Sequence, residues 1–220
     1  MPTDLHLALQ SYYAGDDGRL EAEVDGYKAD VLRDGVVYEV QTGSFVSIRD
    51  KLDKLCAHYP VVLIHPVAAT KIVVRVDPET GAQRSARRSP KHGSVYEVFD
   101  ELVYLGRLLR RRNLSLEVVL TVEREYRCDD GKGSWRRKGV SLVGRELVEV
   151  VQVERFERPT DFRRLLPTDL PKAFTVRDLM QATGLRNRVA GRMVYALREM
   201  GAIKQVGKQG NALVYAIPGR

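Results

Sequence analysis

Cysteine is nearly absent from this chain. Its 220 residues hold two, Cys56 and Cys128. Two thiols so far apart in sequence make neither a disulfide framework nor a paired-thiolate metal motif, and a reducing cytoplasm is the expected setting. Histidine is sparse as well: His6, His58, His65 and His92 stand singly, which argues against zinc. No apolar run approaches the roughly 20 residues a membrane helix needs. The richest, residues 60–69, contains His65 and Pro66. The first ten residues, MPTDLHLALQ, lack the basic stretch and apolar core of a signal peptide. Acid is scarce toward the C-terminus. Residues 158–220 carry 12 basic against 4 acidic side chains, a net of +8, whereas residues 1–77 carry 8 against 12, a net of −4. An acidic front joined to a basic tail suits a polyanion gripped mainly by the C-terminal half.

What is present is an ordinary globular composition, 44% hydrophobic, in a length that suits one large domain or two small ones. The most informative stretch is residues 27–43, YKADVLRDGVVYEVQTG. It reads as two short strands joined at Asp34-Gly35, a strong hairpin signal. Strand side chains alternate faces, so Glu39 and Gln41 point one way and Tyr38 and Val40 the other. The hairpin folds Asp30 back alongside Glu39. Two carboxylates at a sheet edge, with an amide two residues on, make a hard-oxygen pocket for a divalent cation. Such a cation would relieve their mutual repulsion.

Asp30, a short spacer and then Glu39-x-Gln41 at the end of a hairpin resembles the PD-(D/E)XK nuclease superfamily. The order that follows fits too: a helical segment at residues 44–59, then an apolar strand at 61–64. The resemblance covers about the first third of the chain. It implies a restriction-endonuclease-like α/β fold, a mixed sheet flanked by helices. It also implies Mg²⁺ or Mn²⁺ held by Asp30 and Glu39, with Gln41 in the position of the family's lysine. The chain departs from the pattern there, because glutamine can hold a water by hydrogen bonding but carries no charge. Ala29 stands where the family has proline. In the family an acid of the first helix sometimes joins the metal site; Asp4 is the acid here, with His6 and Gln10 the other polar candidates.

Further along, residues 44–59 carry Phe45, Ile48, Leu52, Leu55 and Cys56 at helical spacing, with Ser44 or Ser47 a candidate cap. Arg49, Lys51 and Lys54 lie off that stripe, either solvated or beside a substrate groove. Residues 71–76 read as a separate strand. The basic stretch 81–93 (GAQRSARRSPKHG) reads as a loop, either DNA-contacting or simply solvated. Residues 95–112 read as one long helix ending in three arginines, 114–126 as a strand and 140–156 as at least one more. Between the last two lies a basic turn with the chain's single tryptophan, Trp135. Two readings fit it: an indole stacking on nucleic acid, or one packed against the protein.

The tail, residues 174–217, gives two helices around Thr183-Gly184-Leu185 and a hairpin around residues 207–211. This resembles a winged helix-turn-helix. The resemblance implies that residues 187–200 enter a major groove, making Arg186, Asn187, Arg188 and Arg192 candidates for DNA contact, with Lys208 at the wing tip. A winged helix used for protein contacts is the other reading.

The expected architecture is thus a nuclease-like unit over residues 1–158, its core at about 1–77, and a winged-helix unit over 159–220. The expected partner is double-stranded DNA, with a second copy of the chain a further candidate. The expected function is metal-dependent phosphodiester hydrolysis in DNA. The alternative is a catalytically silent nuclease fold acting in regulation or recruitment.

Overall fold

The computed structural model describes residues 4–219. Helix α1 (Asp4–Ala14) leads into a meander of β1 (Arg19–Val24), β2 (Tyr27–Arg33) and β3 (Val36–Val40). Both reversals are Asp-Gly pairs in which each residue has positive φ: Asp25 and Gly26 at 48° and 76°, Asp34 and Gly35 at 53° and 74°. Two positive φ values in a two-residue loop give the turn whose twist matches that of the strands it joins. Helix α2 (Arg49–Leu55) crosses to β4 (Val61–Val76), which turns back into β5 (Gln83–Arg88). A short helical segment containing α3 (Phe99–Leu102) precedes the hairpin of β6 (Leu114–Asp129) and β7 (Val140–Phe156).

These strands form one mixed sheet in the order β1-β2-β3-β4-β6-β7, with β5 added to the far half of β4. The pairs β3·β4 and β4·β6 are parallel and the others antiparallel. The protein is therefore α/β, with a large mixed sheet flanked by helices. Along β4 the side chains alternate between two apolar layers. Val62 and Ile64 meet Leu5, Leu9 and Tyr13 of α1 on one face. Val61 and Leu63 meet Phe45, Leu52 and Leu55 around α2, and Val98, Phe99 and Leu102 around α3, on the other. Burial on both faces is why residues 61–64 are continuously apolar.

The C-terminal part adds β8 (Ala173–Phe174), α4 (Val176–Thr183), α5 (Asn187–Met200), β9 (Lys204–Gln209) and β10 (Ala212–Ala216), the three strands pairing as β8-β10-β9. Thr175 caps α4 and Asp178 returns the bond to the Thr175 backbone, a reciprocal capping box. Met193, Leu197, Ile203 and Tyr215 belong to the same apolar layer as α2 and α3, so that core runs unbroken into the tail.

Several expectations are corrected. Residues 61–76 are one strand. Pro66 is tolerated because β4 there has a neighbour on one side only: β3 ends opposite Ile64, and β5 begins opposite Ile72. The basic stretch 81–93 contains strand β5 rather than being loop throughout. Residues 95–112 are not one helix but two 3₁₀ turns, Val95–Val98 and Gly106–Arg110, around α3. Gly106, at the start of the second turn, has φ +49°, which breaks a continuous right-handed helix there, and the 3₁₀ turns bury Val98 and Leu109 as a helix would have. Helix α2 begins only at Arg49. Its N-cap is Ile48, with no side-chain cap, because Ser44 and Ser47 are used elsewhere.

Candidate functional site

The antiparallel pairing of β2 with β3 runs from Arg33↔Val36 to Val31↔Tyr38 and then stops. At that point the Asp30 carboxylate takes over the ladder: its Oδ2 accepts from the Val40 backbone N–H at 2.8 Å. Its Oδ1 accepts from Gln10 Nε2 at 3.0 Å and lies 3.3 Å from His6 Nε2. His6 and Gln10 sit four residues apart on one face of α1, a helical neighbour pair. Burial opposes the Asp30 charge. The His6 and Val40 hydrogen bonds and the electrostatic attraction of His6 and Lys51 outweigh it, so the Asp30 pKa is lowered.

Glu39 points to the other side of the sheet, with Val37, and is 1% exposed. Lys51, in the first turn of α2, reaches it: Lys51 Nζ lies 2.6 Å from Glu39 Oε2 and also donates to Lys28 O. Burial pushes the Glu39 carboxyl up to about 7, against the pull of Lys51 and with a further push from the Asp30 charge. The Oε1 atom of Glu39 is buried with no hydrogen-bond partner, the single such side-chain atom among the described residues. An orphaned carboxylate oxygen in a dry site is costly unless something cationic meets it.

Gln41 continues past the end of β3. Its Nε2 donates to Ser44 O at 2.6 Å and to Ser47 Oγ at 3.0 Å, which fixes the loop before α2. Its backbone carbonyl accepts from His65 Nδ1 at 2.8 Å. Burial lowers the His65 pKa. That donation places the proton on Nδ1 and leaves Nε2 a lone pair. Beside this loop opens a cleft of about 460 Å³, lined by residues that include Ser44, His65, Lys71, Lys91, Arg127 and Arg145. It lies at the carboxyl end of the parallel strand β3, the side on which α/β sheets bind ligands.

The structure thus brings Asp30 and Glu39 within electrostatic reach of each other, and adds Lys51, Gln10 and His6. Sequence reasoning named His6 and Gln10 as minor candidates and left Lys51 among the surface charges. The signal for Lys51 was its place beside Leu52 on a helix that packs over Glu39. Among the described residues no group of three or more His, Cys, Asp or Glu is arranged to hold a metal. The hard-oxygen donors here are the orphaned Glu39 Oε1 and the Asp30 carboxylate, and they differ from the expected shared pocket in that Asp30 reaches toward α1 and Glu39 toward α2.

Of the tail residues, Arg186, the N-cap of α5, and Asn187 are exposed, and so is Lys208 on β9. Arg188 and Arg192 are engaged. Arg188 Nη2 lies 2.5 Å from Asp100 Oδ2, and Arg192 Nη1 donates to the Asp100 backbone O at 2.8 Å and to its Oδ1 at 3.1 Å. They hold α5 against α3. The outer face of α5 presents Asn187 and Tyr195, with Arg198 stacked over the Tyr195 ring at 5.4 Å.

Fold and site define the class as an α/β protein with a carboxylate pair where two strands of a large mixed sheet part. The chain belongs to the family described as Domain of unknown function (DUF8091), which matches residues 3–157. That span ends one residue after β7. A protein of Treponema pallidum (strain Nichols), itself described as uncharacterized, is 34% identical over 215 residues, covering 97% of this chain and 84% of that protein. The similarity therefore runs through the tail as well. No solved structure matches the chain.

Proposed function

We propose that this chain is a DNA-binding protein whose N-terminal unit is a PD-(D/E)XK-like hydrolase of phosphodiester bonds, and whose tail is a winged helix-turn-helix that grips duplex DNA. The observation that carries the reading is the orphaned Glu39 Oε1, on a carboxylate that meets Lys51 and lies within electrostatic reach of Asp30. Asp30 and Glu39 would hold Mg²⁺ or Mn²⁺. The bound ion supplies Lewis acidity and a more acidic water. The chain's own residues do the rest. Gln10, His6 and the Val40 N–H fix the Asp30 carboxylate and favour its charged form. Lys51 stands where it favours the charged form of Glu39 and can meet negative charge developing on a phosphate. Gln41, with both Nε2 bonds committed to Ser44 and Ser47, presents its Oε1 as an acceptor able to orient a water.

Purified protein should nick supercoiled plasmid in Mg²⁺ or Mn²⁺ and not in chelator. Asp30→Ala and Glu39→Gln should each reduce the rate by at least about 100-fold, and Lys51→Ala by about tenfold or more. Nicking that persists at full rate in Asp30→Ala would end the hydrolase reading. A second reading has one observation in its favour: the Gln41 amide is used to tie down its own loop. In that reading the fold is a silent scaffold, and DNA binding is indifferent to chelator and to Asp30→Ala.

A further inference from the structure

The turn between β6 and β7 holds the most exposed large apolar side chain among the described residues, Trp135 at 83%. It is not a floppy end. The Gly133 N–H donates to Gly139 O at 2.8 Å, Arg137 N–H to Ser134 O at 2.8 Å and Lys138 N–H to Trp135 O at 3.0 Å. Asp130 Oδ1 ties both flanks, accepting from the Lys132 N–H and from Ser141 Oγ. Gly133 is packed so closely that a Cβ there would lie 2.0 Å from Val140 O. A rigid turn therefore holds an indole out in water, where its apolar area is a standing cost.

The charges around it differ from those lining the cleft, where the cations are paired with acids. Lys71 and Arg127 are paired with Glu125, and Arg145 with Glu123. At the tip Lys132, Arg136, Arg137 and Lys138 form no ion pair among the described residues. The Arg136 guanidinium lies 5.5 Å from the Trp135 ring centre. Four cations outnumber the turn's two acids, Asp129 and Asp130, and a flat ring among them suits a ligand with both phosphates and aromatic faces. An anionic lipid surface is the poorer match. Trp135 is the one large apolar side chain between Asp129 and Gly139, and membrane binding scales with buried apolar area.

We infer that the β6–β7 tip is a second nucleic-acid contact, in which Trp135 stacks on an unpaired base while Lys132, Arg136, Arg137 and Lys138 hold the flanking phosphates. The base must be unpaired because bases inside a duplex already have both faces covered. The inference deepens the proposed function by naming its substrate class: DNA with a single-stranded tail or frayed junction. Glu39 pairs with Leu63, and Val76, 13 residues further along β4, pairs with Cys128 at the base of the tip. That separation is at most about 43 Å at ~3.3 Å per residue, or about a dozen base pairs at ~3.4 Å each. The cleft lined by Lys71, Arg127 and Arg145 lies between.

Trp135 is the only tryptophan in the chain, so intrinsic fluorescence reports on it alone. The titration uses the full chain in EDTA, with a 20-nucleotide oligothymidylate, a blunt duplex, and the same duplex carrying a single-stranded tail. Chelator and an Asp30→Ala background keep the result independent of hydrolysis. Oligothymidylate should quench the emission by half or more with little change in wavelength. Trp135→Ala should weaken binding of the tailed duplex about tenfold or more, Trp135→Phe much less, and neither should change blunt-duplex affinity beyond about twofold. Oligothymidylate that binds without altering the emission, or equal losses on blunt and tailed DNA, would overturn the inference. So would a blue shift with phosphatidylserine vesicles alongside no response to DNA, which would assign the tip to lipid.

Discussion

Glu39 is the acid whose surroundings are most unusual, because it is buried and one of its carboxylate oxygens has no partner among the described residues. Its carboxyl rises from the ordinary 4.5 to about 7 on folding. A raised acid favours the folded state while it is protonated. Its contribution is fully present below about pH 4.5 and is lost as pH rises through about 7. The chain should therefore lose stability across that window, by up to about 3 kcal/mol from this group at ~1.4 kcal/mol per pK unit. Glu39→Gln should flatten that part of the pH profile in denaturant melts. Wild-type stability that is flat or rising from pH 5 to 7 while the variant matches it would show that Glu39 is charged throughout. Asp30 has its pKa lowered instead, by its hydrogen-bond partners, so the two neighbouring acids are driven apart in acidity.

At the scale of elements, local sequence signals differ in how well they survive packing. At α4 a capping box forms: Thr175 and Asp178 exchange hydrogen bonds as their spacing requires. Thr175→Ala should cost about 1 kcal/mol and lower the melting temperature by about 2–4 °C. Thr175→Ser, which keeps the hydroxyl, should recover most of the loss. No change in Thr175→Ala would mean that the helix start is held by packing alone. The Asp-Gly hairpins survive as well, since positive φ at two successive positions is a backbone demand met on the spot. The apolar spacing of residues 95–112 does not fix a helix. A pattern of buried residues three and four apart is compatible with 3₁₀ turns, and Gly106 decides between them. Nor does the hydrophilic 81–93 stretch reveal β5, whose residues are all exposed and which exists because β4 offers it an edge.

At the scale of the molecule, the tail is fastened to the front by specific groups as well as by apolar contact. Arg110 donates to Glu199 O, Arg163 to Ala202 O, and Asp100 binds both Arg188 and Arg192. Two of the five tail residues expected at DNA are thus committed to Asp100. Asp100→Asn keeps the shape and removes the charge. It should free both arginines for phosphate, tighten duplex binding several-fold, and steepen the salt dependence by about two units of log K against log salt. Unchanged affinity and slope in binding titrations across salt would show that this edge of α5 does not face DNA. Arg186, Asn187, Tyr195 and Lys208 would then be left as the surface to test.

The sequence by itself determined the Asp34-Gly35 reversal, the doubly buried strand at 61–64 and the α4–α5 pair. Each of these follows from interactions between residues close in the chain, or from alternation along one strand. Only the tertiary structure decided that Lys51 lies on Glu39, that His65 bonds the Gln41 carbonyl, that Arg188 and Arg192 meet Asp100, and that Trp135 stands in water. Those contacts join residues brought together by the crossing of helices over the sheet. The angle and depth of such crossings are set by the packing of the whole core, which no local pattern encodes.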